Sequence, residues 1–142
     1  MEGFQVKAFL DTSIYIPFIN EGIAHPAIEM KPGRPLLYLS VVVVEELYSG
    51  ALDSNTVKLL DRLYRTFRVL GRLVAPAPSD WRRAGQVVAK LGGKYGFEKR
   101  FLSRITNDAL IALSARRIGA FVVTNNVKDF LRIKKFVDFK LY

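Results

Sequence analysis

Apolar residues recur along this chain at two spacings. Short β-favouring runs, Val6 to Leu10 (VKAFL) and Ala120 to Thr124 (AFVVT), are mostly apolar and too brief for helices, so each predicts a strand. A helical period appears between Ser54 and Leu70. There Val57, Leu60, Leu63, Tyr64 and Phe67 share one face, while Lys58, Arg62, Arg65 and Arg72 cluster opposite, predicting an amphipathic helix with a basic outer stripe. Pro78, Ser79 and Asp80 open another helix, with Trp81, Ala84, Val88 and Leu91 expected inward and Gly92 and Gly93 as its stop. A basic connection, KYGFEKR, leads to a further helix from about Ser103 to Ile118, ended by Gly119. The segment Leu36 to Val44 is apolar without a period and reads as strand or helix. Ser40 as an N-cap makes a helix from about Val41 to Ala51 reasonable, ended by Gly50 or just beyond. The tail FVDFKLY is a candidate last strand.

Strands alternating with helices predict an α/β domain with a largely parallel central sheet. No repeat, low-complexity tract or linker divides residues 1–142, so one domain is expected, and a hydrophobic content of 50% is enough to bury a core. The apolar runs fall short of the ~20 residues that span a bilayer, and neither of the longest has secretory-signal flanks. A soluble cytoplasmic protein without membrane association is the expectation.

Charge and residue usage narrow the chemistry. Twenty-two Lys and Arg against 13 Asp and Glu leave a net charge of +9, a balance that attracts polyanions, nucleic acid foremost. The absence of cysteine excludes disulfides, thiolate metal sites and cysteine nucleophiles. The single histidine, His25, lies among Pro26, Pro32 and Pro35 and reads as a loop surface residue. Catalysis, if present, rests on carboxylates, hydroxyls, amides, Lys or Arg.

Two carboxylates sit where burial is expected. In FLDTSIYIPFI, Asp11 with Thr12 and Ser13 interrupts an apolar stretch at the predicted end of the first strand, as a helix cap or as a ligand. Asp108 shares a helical face with Ile105, Ile111, Ala112 and Ala115. Ligands of parallel α/β sheets bind beyond the carboxyl ends of the strands, where Asp11 and the Thr124, Asn125 and Asn126 group both fall. Carboxylates that converge there repel one another unless a cation intervenes, and a hard divalent ion such as Mg²⁺, with phosphate oxygens of a substrate, answers that demand. Glu46 beside Glu45 and Asp129 before Phe130 are equally compatible with solvated or capping roles by pattern alone.

These places in combination resemble the PIN-domain ribonucleases, especially the VapC toxins of bacterial and archaeal toxin–antitoxin pairs, over nearly the whole chain. FLDTSIYI looks like the family's opening strand with its first acidic residue, Asp11, and the hydroxyl residues Thr12 and Ser13 after it. VVVVEELYSGA is similar to the family's glutamate-bearing helix and points to Glu46. TNDALIALSARRIGAFVVTNNVKDF resembles the block in which an acidic residue, here Asp108, opens a helix that leads into a Thr-containing strand end. The chain departs from the fullest pattern at Asn126, a place often acidic in the family, and Asp129 is the nearby carboxylate.

The resemblance implies a PIN-like fold, a mostly parallel sheet flanked by helices, and hydrolysis of RNA. It implies Asp11 and Asp108 as the principal Mg²⁺ or Mn²⁺ ligands, Glu46 holding a water or second ion, and Asp129 or Asn126 completing the set. Thr12, Ser13 and Thr124 would orient those ligands by hydrogen bonds. Lys58, Arg62 and Arg65 are candidates for holding the RNA backbone, with Tyr95 or Phe97 as stacking platforms. A VapB-like antitoxin whose C-terminal segment occupies the cleft, and a toxin homodimer, are the implied partners. The competing readings are a catalytically inactive RNA-binding module of the same fold and a receiver-like phospho-acceptor domain; the latter is disfavoured by the basic charge and the lack of a second acid near Asp11.

Overall fold

The short apolar runs become strands buried on both faces, which is why they lack the alternation of a half-exposed strand. The computed structural model describes residues 6–22 and 35–142. In chain order these form β1 (Lys7–Leu10), α1 (Thr12–Glu21), β2 (Leu36–Ser40), α2 (Val41–Ser49), α3 (Ser54–Val69), β3 (Leu73–Val74), α4 (Pro78–Tyr95), α5 (Lys99–Ile118), β4 (Ala120–Val123), α6 (Val127–Lys134) and β5 (Lys140–Leu141). His25 and its proline-bounded loop lie outside the described residues.

All strand pairs are parallel, in the order β3-β2-β1-β4-β5. Helices therefore make the crossovers, and the fold is the α/β domain that the alternation predicts. β1 is central, with Leu10 level with Val123 of β4. The chain winds outward from β1 through β2 and β3, then returns to pair β4 on its other side. That reversal opens a crevice beyond the carboxyl ends of β1 and β4, the usual ligand position in such sheets.

The core gathers Phe9, Leu10, Leu39, Val43 and Val122 with Ile105, Leu110 and Ile111 of α5 and Phe130 and Ile133 of α6. α5 is buried continuously from Ala109 to Ala115 as it packs against α4, α6, β1 and β4. Burial on this scale seats Asp108, the residue that immediately precedes the buried stretch.

The ambiguous apolar segment is both elements in succession. β2 ends at Ser40, whose Oγ accepts the Val42 N–H and starts α2. Other boundaries differ from the sequence expectation. α4 does not stop at Gly92 and Gly93 but runs to Tyr95, because Gly92 serves packing: a Cβ there would collide with the Phe97 ring. Likewise α5 begins at Lys99 instead of Ser103. Trp81, expected inward, is 56% exposed, while Val87 is fully buried in the position expected of Val88. The inward stripe of α4 is thus Asp80, Ala84, Val87 and Leu91, and Asp80 is tolerated there because it accepts the Ala77 N–H and pairs with Arg117. β3 has only two residues and no detectable pattern of its own.

Candidate active site

Asp11 follows β1 and is both the cap and the ligand candidate that its sequence position left open. Its Oδ1 accepts hydrogen bonds from the Ser13 N–H at 3.1 Å and the Ser13 hydroxyl at 2.6 Å, capping α1. Its Oδ2 accepts the Thr124 hydroxyl at 2.7 Å, from the end of β4. Ser13 Oγ in turn accepts the Asn125 N–H and Thr124 Oγ1 the Asn126 N–H, both at 2.9 Å. The two strand ends are therefore laced together around one carboxylate, which fixes its orientation without neutralising it.

Glu46 projects from α2 to the same place, where its Oε1 accepts the Thr12 hydroxyl at 2.9 Å. Glu45, one residue earlier, faces solvent and accepts the Ser49 hydroxyl of its own helix. The 100° step between adjacent helical residues separates the two glutamates. Asp108 arrives from α5. Together Asp11, Glu46 and Asp108, with Thr12, Ser13, Asn126 and Arg104, line a cleft of about 140 Å³.

Electrostatics in this cleft favour protons or a cation. Burial raises the pKa of Asp11 against the opposing hydrogen bonds from Ser13 and Thr124. Burial also raises Glu46, with the charges of Asp11 and Glu45 adding to it and hydrogen bonds from Thr12 and Asn107 opposing. Asp108 is pushed up to about 8, first by burial and then by Glu46, Asp11 and Asp129, which Arg104 offsets only in part. Burial of carboxylates on a rigid scaffold produces this pattern, and like charges add to it at Glu46 and Asp108.

Asp129, the candidate fourth acid, is placed differently. It is 3% exposed on α6 and does not line the cleft. Arg104 Nε donates to its Oδ2 at 2.6 Å and Arg132 Nη1 to its Oδ1 at 3.4 Å. Asn126, the alternative fourth position, does line the cleft. Lys58, Arg62 and Arg65 are exposed on α3 and contribute nothing to the cleft wall. Arg104 is the cleft residue that sequence reasoning passed over. Its position one helical turn before Asp108 was the available signal, since residues four apart share a face.

The donor set is all oxygen and mutually repulsive, which suits a hard divalent cation. Among the described residues no three His, Asp or Glu side chains already form a closed metal-holding group. Mg²⁺ itself keeps several waters and is held by one or two carboxylates plus phosphate oxygens of a substrate.

In parallel α/β domains ligands bind in the crevice at the switch point beyond the carboxyl ends of the strands, which is where this acidic cleft lies. The PIN domain family model matches residues 8–136, and the chain belongs to that family. Among solved structures the fold is similar to VapBC2 from Rickettsia felis bound to a DNA fragment from its promoter, at 22% identity and TM-score 0.66 over 96% of this chain and 98% of that one. It is similar to DNA-bound VapBC from Salmonella typhimurium at 24% identity and TM-score 0.63, over 97% and 98% of the two chains. FitAcB from Neisseria gonorrhoeae gives 19% identity and TM-score 0.61, over 95% and 96%. No curated protein matches this chain significantly by sequence.

Proposed function

We propose that this PIN-domain protein is a Mg²⁺- or Mn²⁺-dependent endoribonuclease, acting as the toxin of a VapBC-type pair. The observation that carries the reading is the convergence of Asp11, Glu46 and Asp108 on one cleft, each held above its ordinary carboxylate pKa. Asp11 and Asp108 would hold the cation, and Thr124, Ser13 and Thr12 keep Asp11 and Glu46 aimed. When bound, such an ion supplies a water of lowered pKa and a countercharge for the departing oxygen. Glu46, on the same cleft wall, would hold and orient that water and take up its proton. Arg104, on the cleft wall, meets the negative charge of the phosphodiester.

The VapBC structures that share the fold support an antitoxin as partner, and in this reading the antitoxin's C-terminal segment occupies the acidic cleft. A homodimer and a cytoplasmic location belong to the same reading; among the described residues no helix is long and apolar enough to cross a membrane. The test is cleavage of a panel of structured RNAs with Mg²⁺, Mn²⁺ or chelator, comparing the parent with Asp11→Asn. Cleavage that persists in the chelated sample and in the variant would remove the metal site from the mechanism.

A second reading, an inactive RNA-binding module, draws on Asn126 lining the cleft while Asp129 is engaged by arginines. RNA affinity without metal-dependent turnover would select it.

A further inference from the structure

Beside the acidic cleft lies a second pocket of about 230 Å³, lined by Tyr95, Glu98, Arg100, Phe101, Arg104 and Arg132. It is built where α4 ends and α5 begins, with Arg132 of α6 closing one side. The Tyr95 and Phe101 rings stand 6.3 Å apart and tilted by 57°. The Arg132 guanidinium lies over the Tyr95 ring at 4.1 Å and over Phe101 at 5.9 Å, and Arg104 lies over Phe101 at 5.8 Å. Tyr95 remains 39% exposed.

The surroundings are positive. Desolvation would raise the Tyr95 hydroxyl, but Lys135, Lys94 and Arg132 outweigh it and lower its pKa. Asp129 holds both Arg104 and Arg132, so the two guanidinium planes are presented by a buried anchor instead of waving in solvent. At 230 Å³ the pocket is below the range of drug-sized ligand sites and suits a fragment with one flat ring.

Continuity with the cleft supplies the occupant. Arg104 lines both cavities, and a wider groove of about 660 Å³ shares Glu46 and Arg104 with the cleft and Glu98, Arg100 and Arg104 with the side pocket, where the arginines outnumber the one acid. A strand whose phosphodiester lies in the cleft passes Arg104 and reaches the aromatic and guanidinium faces within the same channel. Planar π-faces flanked by cations are what unpaired bases stack on, and they take any base.

We propose that Tyr95, Phe101, Arg100 and Arg132 form a subsite that stacks one unpaired base of the RNA next to the scissile phosphate, with Arg104 bridging subsite and cleft. The inference rests on the nuclease reading for its substrate class but not for its binding test. Asp129 is then a positioning residue for the subsite.

The experiment uses a short single-stranded RNA and the same RNA carrying one abasic nucleotide, walked along the positions flanking the cut. In the parent, the abasic site at one flanking position should raise KM about ten-fold with kcat nearly unchanged. A Tyr95→Leu, Phe101→Leu double variant keeps the apolar bulk; it should show the same rise on intact RNA and no further rise on the abasic one. Arg100→Gln, at an exposed position, should weaken binding a few-fold and flatten its salt dependence. Penalties that simply add, or a double variant with the parent's KM, overturn the subsite. If the parent cleaves no RNA, the nuclease reading fails separately, and fluorescence anisotropy in EDTA gives the same comparison. A ten-fold weaker complex in the double variant supports the subsite, and equal affinity overturns it even if the pocket then proves to serve a protein partner.

Discussion

Asp108 and Asp129 sit on α5 and α6, two helices packed against each other, and both are carboxylates withdrawn from water. Their neighbours make them opposites. Asp129 is held between Arg104 and Arg132, so its oxygens are committed inside the protein. Asp108 faces Glu46 and Asp11 and is pushed up to about 8. Burial alone therefore does not mark a ligand. The useful distinction is whether a carboxylate's charge is already answered, because an unanswered one is costly to the folded protein and available to a cation.

The largest effect should come from neutralising the unanswered charge. Asp108→Asn is expected to lower metal-dependent RNA cleavage by about 100-fold or more while raising the stability of the metal-free protein by about 1–3 kcal/mol. Urea denaturation in EDTA beside the cleavage assay reads both. Loss of stability in that variant would end the contrast with Asp129.

Asp129→Asn should act with the reverse sign on stability. Removing the anchor leaves two guanidinium groups without their partner, and because Arg104 is half-exposed the cost is only about 1 kcal/mol. Cleavage should fall about ten-fold, through a loosened Arg104, with Mn²⁺ affinity reduced far less than in Asp108→Asn, because Asp129 acts on the cleft only as a neighbouring charge. Isothermal titration with Mn²⁺ separates the two aspartates. Equal loss of Mn²⁺ binding in both variants would make Asp129 a ligand after all.

The pH dependence of stability sharpens the comparison at smaller amplitude. The folded pKa of Asp108 is raised from 3.8 to about 8, and Asp11 and Glu46 shift in the same direction. Below about pH 4 these groups are protonated in both states and impose no penalty. As pH rises toward 8 the unfolded chain ionises first, so folding takes up protons and the metal-free protein loses stability across that window. Saturating Mn²⁺ should flatten or reverse the slope, since the cation stabilises the ionised carboxylates. Thermal melts at several pH values, with and without Mn²⁺, should show the slope in the parent and a shallower one in Asp108→Asn.

Local signals carried much of the architecture. Asp11 and Ser40 were readable as caps because a short oxygen side chain beside an apolar run serves its own backbone within two residues, as both do here. The four-residue runs of β1 and β4 and the Gly119 stop were readable for the same reason: each depends on conformational preference within a few residues. The choice of Glu46 over Glu45 rests on the family resemblance, whereas Asp108 as a core-facing acid follows from helical phase.

What lay beyond the sequence by itself depends on partners distant along the chain. Gly92 looked like a terminator, yet its lack of a side chain is spent on the Phe97 ring, so α4 continues. Trp81 and Val88 were assigned inward from a face drawn one step out of phase, and only the packing of α4 on α5 selects Val87. The fate of Asp129 is of this kind too: NNVKDF states that a carboxylate is present, while Arg104, 25 positions earlier, decides that its charge is already answered. Sequence determined which segments could be strands and helices and which acids were out of place, because those are local properties of backbone and period. Tertiary structure decided which acids share one cleft, because mutual repulsion and compensation depend on distances through space that no spacing along the chain encodes.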